Sequence, residues 1–318
     1  MIVYSVPLLA ISLLLIVVFS ERIIEYVLVL SKVFGLSEMA AGFILLSVVT
    51  SLPELSVSTL AAFAGEAGLS VGNALGSNIA NLTIILGLAI FLSRVEVLVK
   101  GQSQKELVQF LFLSSVIPLF IVQRGSLSAM LGAVLLILFI YFAVTISHKT
   151  KNAETNAPVN SVKKKDSVVV GVKFIVCTAL VIGLSKLVVD SSLDIADSIG
   201  LPPSIIGATI IGLGTSLPEL ATTIQALKKK LFGMALGNLL GSCITNITLI
   251  LGVSSLISFS QVNVFAVENI MFYVLLSSLS VWYMVGSSER VGKKAALLLC
   301  AIYALFILQQ VGISIFIF

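Results

Sequence analysis

Charge is what this sequence has least of. Only 11% of its 318 residues are Asp, Glu, Lys or Arg, where a soluble domain carries about a quarter. That scarcity excludes an ordinary water-facing surface. Metal-binding and catalytic side chains are sparse as well. The one histidine, His148, stands beside lysines at a predicted helix end, where a solvated terminus is a simpler reading than a proton relay. Cys177, Cys243 and Cys300 lie far apart in apolar segments with no metal-ligand spacing, and read as buried free thiols. The sequence holds no nucleophile–base pair, nucleotide-binding loop or catalytic metal motif, so it does not read as an enzyme. The net charge of +4 is no nucleic-acid signal, because the positive residues sit in short loops where they report topology.

What the chain has in excess is hydrocarbon. Hydrophobic residues make up 58% of it and the mean hydropathy is +1.15. Apolar runs of bilayer-crossing length recur from end to end. They predict an all-α membrane protein of ten spans, near 3–30, 39–63, 70–92, 105–123, 127–147, 168–192, 202–227, 233–258, 265–287 and 293–316. Residues 3–20 lack a basic n-region and a clear cleavage site, and read as a first membrane helix rather than a signal peptide. One polar linker, 148–167, with the run Lys163-Lys164-Lys165, separates residues 1–147 from 168–318 and divides the spans five and five.

The two parts are related by a constant shift. Glu54 and Glu219, Ser77 and Ser242, and Asn81 and Asn246 are each 165 residues apart. So are Ser20 and Ser185, Gly35 and Gly200, Gly42 and Gly207, and Gly87 and Gly252. This is an internal duplication. Five is odd, so the second five-helix repeat is expected upside down relative to the first, an arrangement that puts a binding site near the midplane. With the N-terminus outside, sixteen Lys and Arg residues fall in inner loops, against Arg124 and Lys186 in outer ones. The positive-inside rule then predicts both termini outside and the linker in the cytoplasm.

The chemistry gathers in two duplicated motifs. Thr50-Ser51-Leu52-Pro53-Glu54 repeats as Thr215-Ser216-Leu217-Pro218-Glu219, in the middle of apolar runs. A carboxylate at mid-bilayer costs about 2.5–3.5 kcal/mol on insertion scales. A purely structural role for two of them needs buried cationic partners, and no Lys or Arg lies near mid-span apart from Lys173. Pro53 and Pro218 cannot donate to the carbonyls four residues back, Val49 and Gly214, so those oxygens are candidate ligands. Thr50 shares a helix face with Glu54, Ser47 with Ser51, and Thr215 with Glu219. The second motif runs Gly72-Asn73-Ala74-Leu75-Gly76-Ser77 to Asn81 and Gly237-Asn238-Leu239-Leu240-Gly241-Ser242 to Asn246. Its glycine pairs permit close helix packing, and its hydroxyls and amides add neutral oxygens. Asn73 and Asn238 are as readily explained as glue between helices. The resulting set is all oxygen, which suits a hard cation such as Ca2+ with its about 6–8 ligands; smaller sites in the same cage suit several Na+. Asp190, Asp194 and Asp197 read as a solvated helix end.

These paired motifs resemble the alpha repeats of the calcium/cation antiporter superfamily, most closely prokaryotic Na+/Ca2+ exchangers, over essentially the whole chain. The resemblance implies Ca2+ between Glu54 and Glu219 with backbone oxygens around Thr50 and Thr215. It implies Na+ sites using Ser51, Ser77, Ser216 and Ser242, and Asn81 and Asn246 at the centre. It further implies a first and a sixth helix that slide across a core, electrogenic antiport of several Na+ for one Ca2+, and no cofactor. Ser47 completes the candidate set. No nucleic-acid or obligate protein partner is expected, only the ions and the lipid bilayer of the cell membrane. Two departures stand out: Val49 occupies a usual glycine position, and both Asn81 and Asn246 are amides where several archaeal exchangers carry an Asp in one. Coupling to H+ in the same fold stays open, because a buried glutamate can carry a proton. A channel is the third reading, and duplicated broken helices argue against it.

Overall fold

The structure is a computed structural model that describes residues 2–34, 47–98, 102–151, 164–287 and 290–312. Helix α1 is Ile2–Phe34, α2 Leu52–Phe63, α3 Ala67–Ala80, α4 Leu86–Ser93, α5 Gln102–Val116, α6 Leu119–Arg124 and α7 Ala129–Lys151. Then come α8 Lys164–Ile199, α9 Leu217–Lys228, α10 Phe232–Thr245, α11 Leu251–Ile257, α12 Val264–Ser287 and α13 Lys293–Gln310. Among the described residues, eight helices are long and apolar enough to cross a membrane, and Leu52–Phe63 and Ala129–Thr145 are shorter apolar helices. The start of the expected 39–63 span, the Gly35 and Gly42 members of the duplicated pairs, and residues 152–163 of the linker lie outside the described residues. A small antiparallel ribbon, Val97–Leu98 against Arg290–Val291, is the strand pairing that the all-α reading did not contain.

Burial sorts the helices into core and flank. The spans Ala67–Ser93 and Phe232–Ile257 are each 78% buried, while Tyr4–Ile23 is 33% and Val169–Ile199 28% buried. Helices α1 and α8 have 33 and 36 residues. They lie against each other and share one apolar cluster that holds Leu9, Leu13 and Ile16 of α1 and Val188, Val189 and Ile195 of α8. Their outward faces are apolar, with Ile11, Leu14, Val172 and Ile175 exposed, as lipid contact requires.

The core is held by backbone contact. A Cβ on Gly72 would stand 2.1 Å from Ser204 O, and one on Gly76 2.2 Å from Ala208 O. Gly207 and Gly212 return the contact, toward Leu69 O and Ser77 N at 2.6 and 2.8 Å. The glycine spacing in the second motif is thus a packing device as expected, with α3 pressed onto 203–215.

Each long core span contains one π turn, Asn81–Ile85 after α3 and Asn246–Ile250 after α10. They begin at matched residues. In both, a threonine hydroxyl four residues on donates to a carbonyl just before the turn, Thr83 to Ile79 and Thr248 to Ile244. Hydroxyls that bond the preceding turn compete with the regular helix ladder, and π turns concentrate at functional sites.

Candidate functional site

Two helix breaks define the site. The short helix Val48–Thr50 stops at Ser51 (φ −82°, ψ 8°), and Gly212–Thr215 stops at Ser216 (φ −85°, ψ 5°). Pro53 and Pro218 then fall in the first turns of α2 and α9, where a missing N–H costs nothing. The carbonyls of Val49 and Gly214 take the cap N–H of Ser51 and Ser216. Glu54 and Glu219 consequently sit in first turns, where the unsatisfied N–H groups of a helix favour negative charge.

Both glutamates are fully buried, and so are Ser47, Thr50, Ser77, Asn81, Thr215, Ser216, Ser242 and Asn246, with Ser51 1% exposed. The structure brings all eleven predicted residues into one buried region where the halves interlock. Ser216 Oγ donates to Glu54 Oε1 at 3.1 Å, and Ser242 Oγ to Glu219 Oε1 at 3.3 Å. Thr50 Oγ1 lies 3.3 Å from Ser242 Oγ and donates to Asn238 Oδ1 at 3.3 Å; Thr215 Oγ1 meets Asn73 Oδ1 at 3.4 Å. Ser77 Oγ reaches Gly212 O at 3.2 Å, and its counterpart Ser242 reaches Ser47 O at 3.4 Å. Thr215 also faces the Glu54 carboxylate, and the two glutamates lie within electrostatic reach of each other. Thr50 and Ser51 face Glu219, Ser51 without closing a hydrogen bond.

Among the described residues, several buried oxygens have no hydrogen-bond partner: Glu54 Oε2, Glu219 Oε2, Ser51 Oγ, Asn81 Oδ1 and Asn246 Oδ1. Buried polar atoms are ordinarily satisfied, and leaving one bare costs about 1–3 kcal/mol. Five such oxygens, two of them carboxylate, stand in the region where Glu54 and Glu219 lie. Among the described residues no cluster of three His, Cys, Asp or Glu side chains could hold a metal. The donor set is therefore two acids and neutral oxygens.

The glue reading holds for Asn73 and Asn238. Asn73 Nδ2 bonds Glu54 O at 3.2 Å and Ser58 Oγ at 2.9 Å, and Asn238 Nδ2 bonds Thr222 Oγ1 at 2.9 Å. Lys173, Asp190, Asp194 and Asp197 are exposed and apart from the site, with Asp194 accepting Ser5 Oγ at 3.0 Å. Cys177, Cys243 and Cys300 are free thiols. Asn78 was missed by sequence reasoning. It is buried in the site and bonded to Asn246, but its match is Cys243, so a search for identical pairs passes over it.

A bundle of apolar helices with its polar groups turned inward is an all-helical membrane protein. Comparison with known proteins identifies its kind. The model of the family described as sodium/calcium exchanger protein matches residues 4–147 and 170–312, and the chain belongs to that family, among the calcium/cation antiporters. It is 33% identical over 91% of its length to a membrane protein of Methanocaldococcus jannaschii named MJ0091, covering 89% of that protein. It is 28% identical to the sodium/calcium exchanger MaX1 of Methanosarcina acetivorans, covering 81% of this chain and 85% of that one. A solved structure of the sodium-calcium exchanger NCX_Mj superimposes with a TM-score of 0.68 at 28% identity, covering 96% of this chain and 98% of that one. The family is one of transporters.

Proposed function

We propose that this chain exchanges Na+ for Ca2+ across the cell membrane by alternating access, with the ions held at the membrane midplane between Glu54 and Glu219. The observation that carries the reading is the pair of bare, fully buried Oε2 atoms in matched helix breaks. Neither glutamate has an ion pair among the described residues, and a buried charge without a counter-charge is costly. A divalent ion supplies that counter-charge; two Na+ do the same. Ca2+ takes both carboxylates with backbone oxygens near Thr50, Thr215 and Ser47. Na+ uses Ser51, Ser77, Ser216 and Ser242, and Asn81 and Asn246 line the centre. Because the two ions need the same acids, occupancy by one excludes the other, and that competition enforces exchange.

The wider architecture follows the same reading: two inverted five-helix repeats, 1–147 and 168–318, with both termini outside and the linker 148–167 in the cytoplasm. Strand pairing supports the inversion. The ribbon Val97–Val291 and the bridge Ser126–Gln261 exchange under the 165-residue shift to within one residue, and they stand at opposite ends of the span Gln104–Arg124.

The test is radioactive Ca2+ uptake by purified protein in liposomes, driven by internal Na+, with a parallel set given only a pH gradient. Na+-driven uptake that is abolished in Glu54→Gln and in Glu219→Gln is the expected result. Near-normal exchange by both variants would sink the site assignment. Uptake driven by the pH gradient alone would keep the fold and make the coupling ion H+.

A further inference from the structure

The two repeats differ at several buried positions, such as Ser70 and Ala235 or Ala80 and Thr245, and one of the differences falls among the amides near the glutamates. Asn78 and Cys243 occupy matched places in α3 and α10, and both are fully buried. Asn78 Nδ2 donates to the backbone carbonyl of Cys243 at 3.1 Å, a group that can only accept. Asn78 Oδ1 must then face the other way, where it accepts Asn246 Nδ2 at 3.0 Å. This leaves Asn246 Oδ1 as the end of the chain of bonds, buried and without a partner. Exchanging the halves maps the contact Asn78–Asn246 onto Cys243–Asn81. There the thiol faces the Asn81 side chain, yet neither Asn81 Nδ2 nor Oδ1 has a hydrogen-bond partner. One amide is oriented by two successive hydrogen bonds, and its twin by nothing firmer than the weak polar contact of a thiol.

We infer that Asn78 is a positioning residue for the cation: it turns Asn246 so that the carbonyl oxygen, and not the NH2, meets the ion, while Cys243 leaves Asn81 to be oriented by the ion itself. This rests on the site reading given above. An amide that presents its NH2 repels a cation, and one that rotates must be ordered on binding at an entropic cost. Groups that fix a metal ligand's orientation commonly set affinity over about 10- to 100-fold. Ca2+ asks for more oxygens than Na+ and so depends more on the amides.

The experiment is Ca2+ uptake in proteoliposomes at varied Ca2+ and Na+, with thermal unfolding in detergent as a check on folding. Asn78→Ala is expected to raise the Ca2+ KM roughly tenfold with kcat unchanged, and to move Na+ half-saturation less. Cys243→Asn supplies the missing lock and is expected to lower the Ca2+ KM. The double variant Asn78→Cys with Cys243→Asn transfers the lock to Asn81 and is expected to return the KM close to that of the parent. An unchanged Ca2+ KM in folded Asn78→Ala overturns the inference, and so does a double variant as impaired as Asn78→Cys alone. Should Asn78→Ala fail to fold, Cys243→Asn decides: a KM unchanged or raised overturns the idea. Glu54→Gln run in parallel separates the two levels. If it is inactive while Asn78→Ala keeps its KM, only the lock is lost; if it transports normally, the site reading fails and the inference with it.

Discussion

At the scale of single residues, each glutamate is half engaged. One carboxylate oxygen takes a serine hydroxyl, Ser216 for Glu54 and Ser242 for Glu219, and the other oxygen is bare. A hydrogen bond to a charged group contributes about 1.5–3 kcal/mol. Ser216→Ala is therefore expected to raise the Na+ concentration for half-maximal exchange at least about tenfold, measured as initial Ca2+ uptake rates in proteoliposomes at varied internal Na+; an unchanged Na+ dependence would remove Ser216 from the Na+ sites. The acids were legible because a carboxylate inside an apolar run has no cheap explanation. The division of labour among neutral groups was not. Asn73 is spent on Glu54 O and Ser58, whereas Asn81, two helical turns on, has no partner, and nothing in residue type separates the two. Asn78 stayed hidden because its match is a cysteine.

Among elements, the closest contact is the backbone approach of α3 to 203–215. Gly76→Ala would drive a methyl into the Ala208 backbone, where the nearest atom stands 2.2 Å away, and overpacking typically costs about 1–3 kcal/mol. A lower unfolding temperature in detergent is the expected result. Gly183→Ala in α8 meets nothing within 4 Å and is expected to leave that temperature unchanged or raise it, since alanine is favoured over glycine in helices by roughly 0.5–1 kcal/mol. The glycine pairs at a spacing of four were readable in the sequence, and so were the breaks announced by Pro53 and Pro218. The π turns at Asn81 and Asn246 were not, because one extra residue in a turn barely shifts an apolar pattern that is hydrophobic all round. The two-residue ribbon is too short to leave any periodic trace.

For the whole molecule, the duplication was legible through its unbroken register, and the count of crossing helices less so: Leu52–Phe63 is apolar but too short to qualify alone, since the break at Ser51 divides it from what precedes. Charge gives a molecular prediction. With amides at 81 and 246, the proposed site holds two acids; one Ca2+ or two Na+ neutralise them, and exchange of a third Na+ would leave one positive charge. A membrane potential acts on such a charge with about 2.3 kcal/mol per 100 mV. Imposed potentials are thus expected to change the Na+-loaded half of the cycle and spare the Ca2+-loaded half; exchange indifferent to voltage would mean two Na+ per Ca2+. The helices α1 and α8 carry a different consequence. Only 33% and 28% of their crossing segments are buried, so if this pair slides, it shears mostly against acyl chains. Its drag is then that of the bilayer. Stiffening the lipid should slow turnover while leaving ion affinity alone, which makes membrane viscosity a throttle on the transporter.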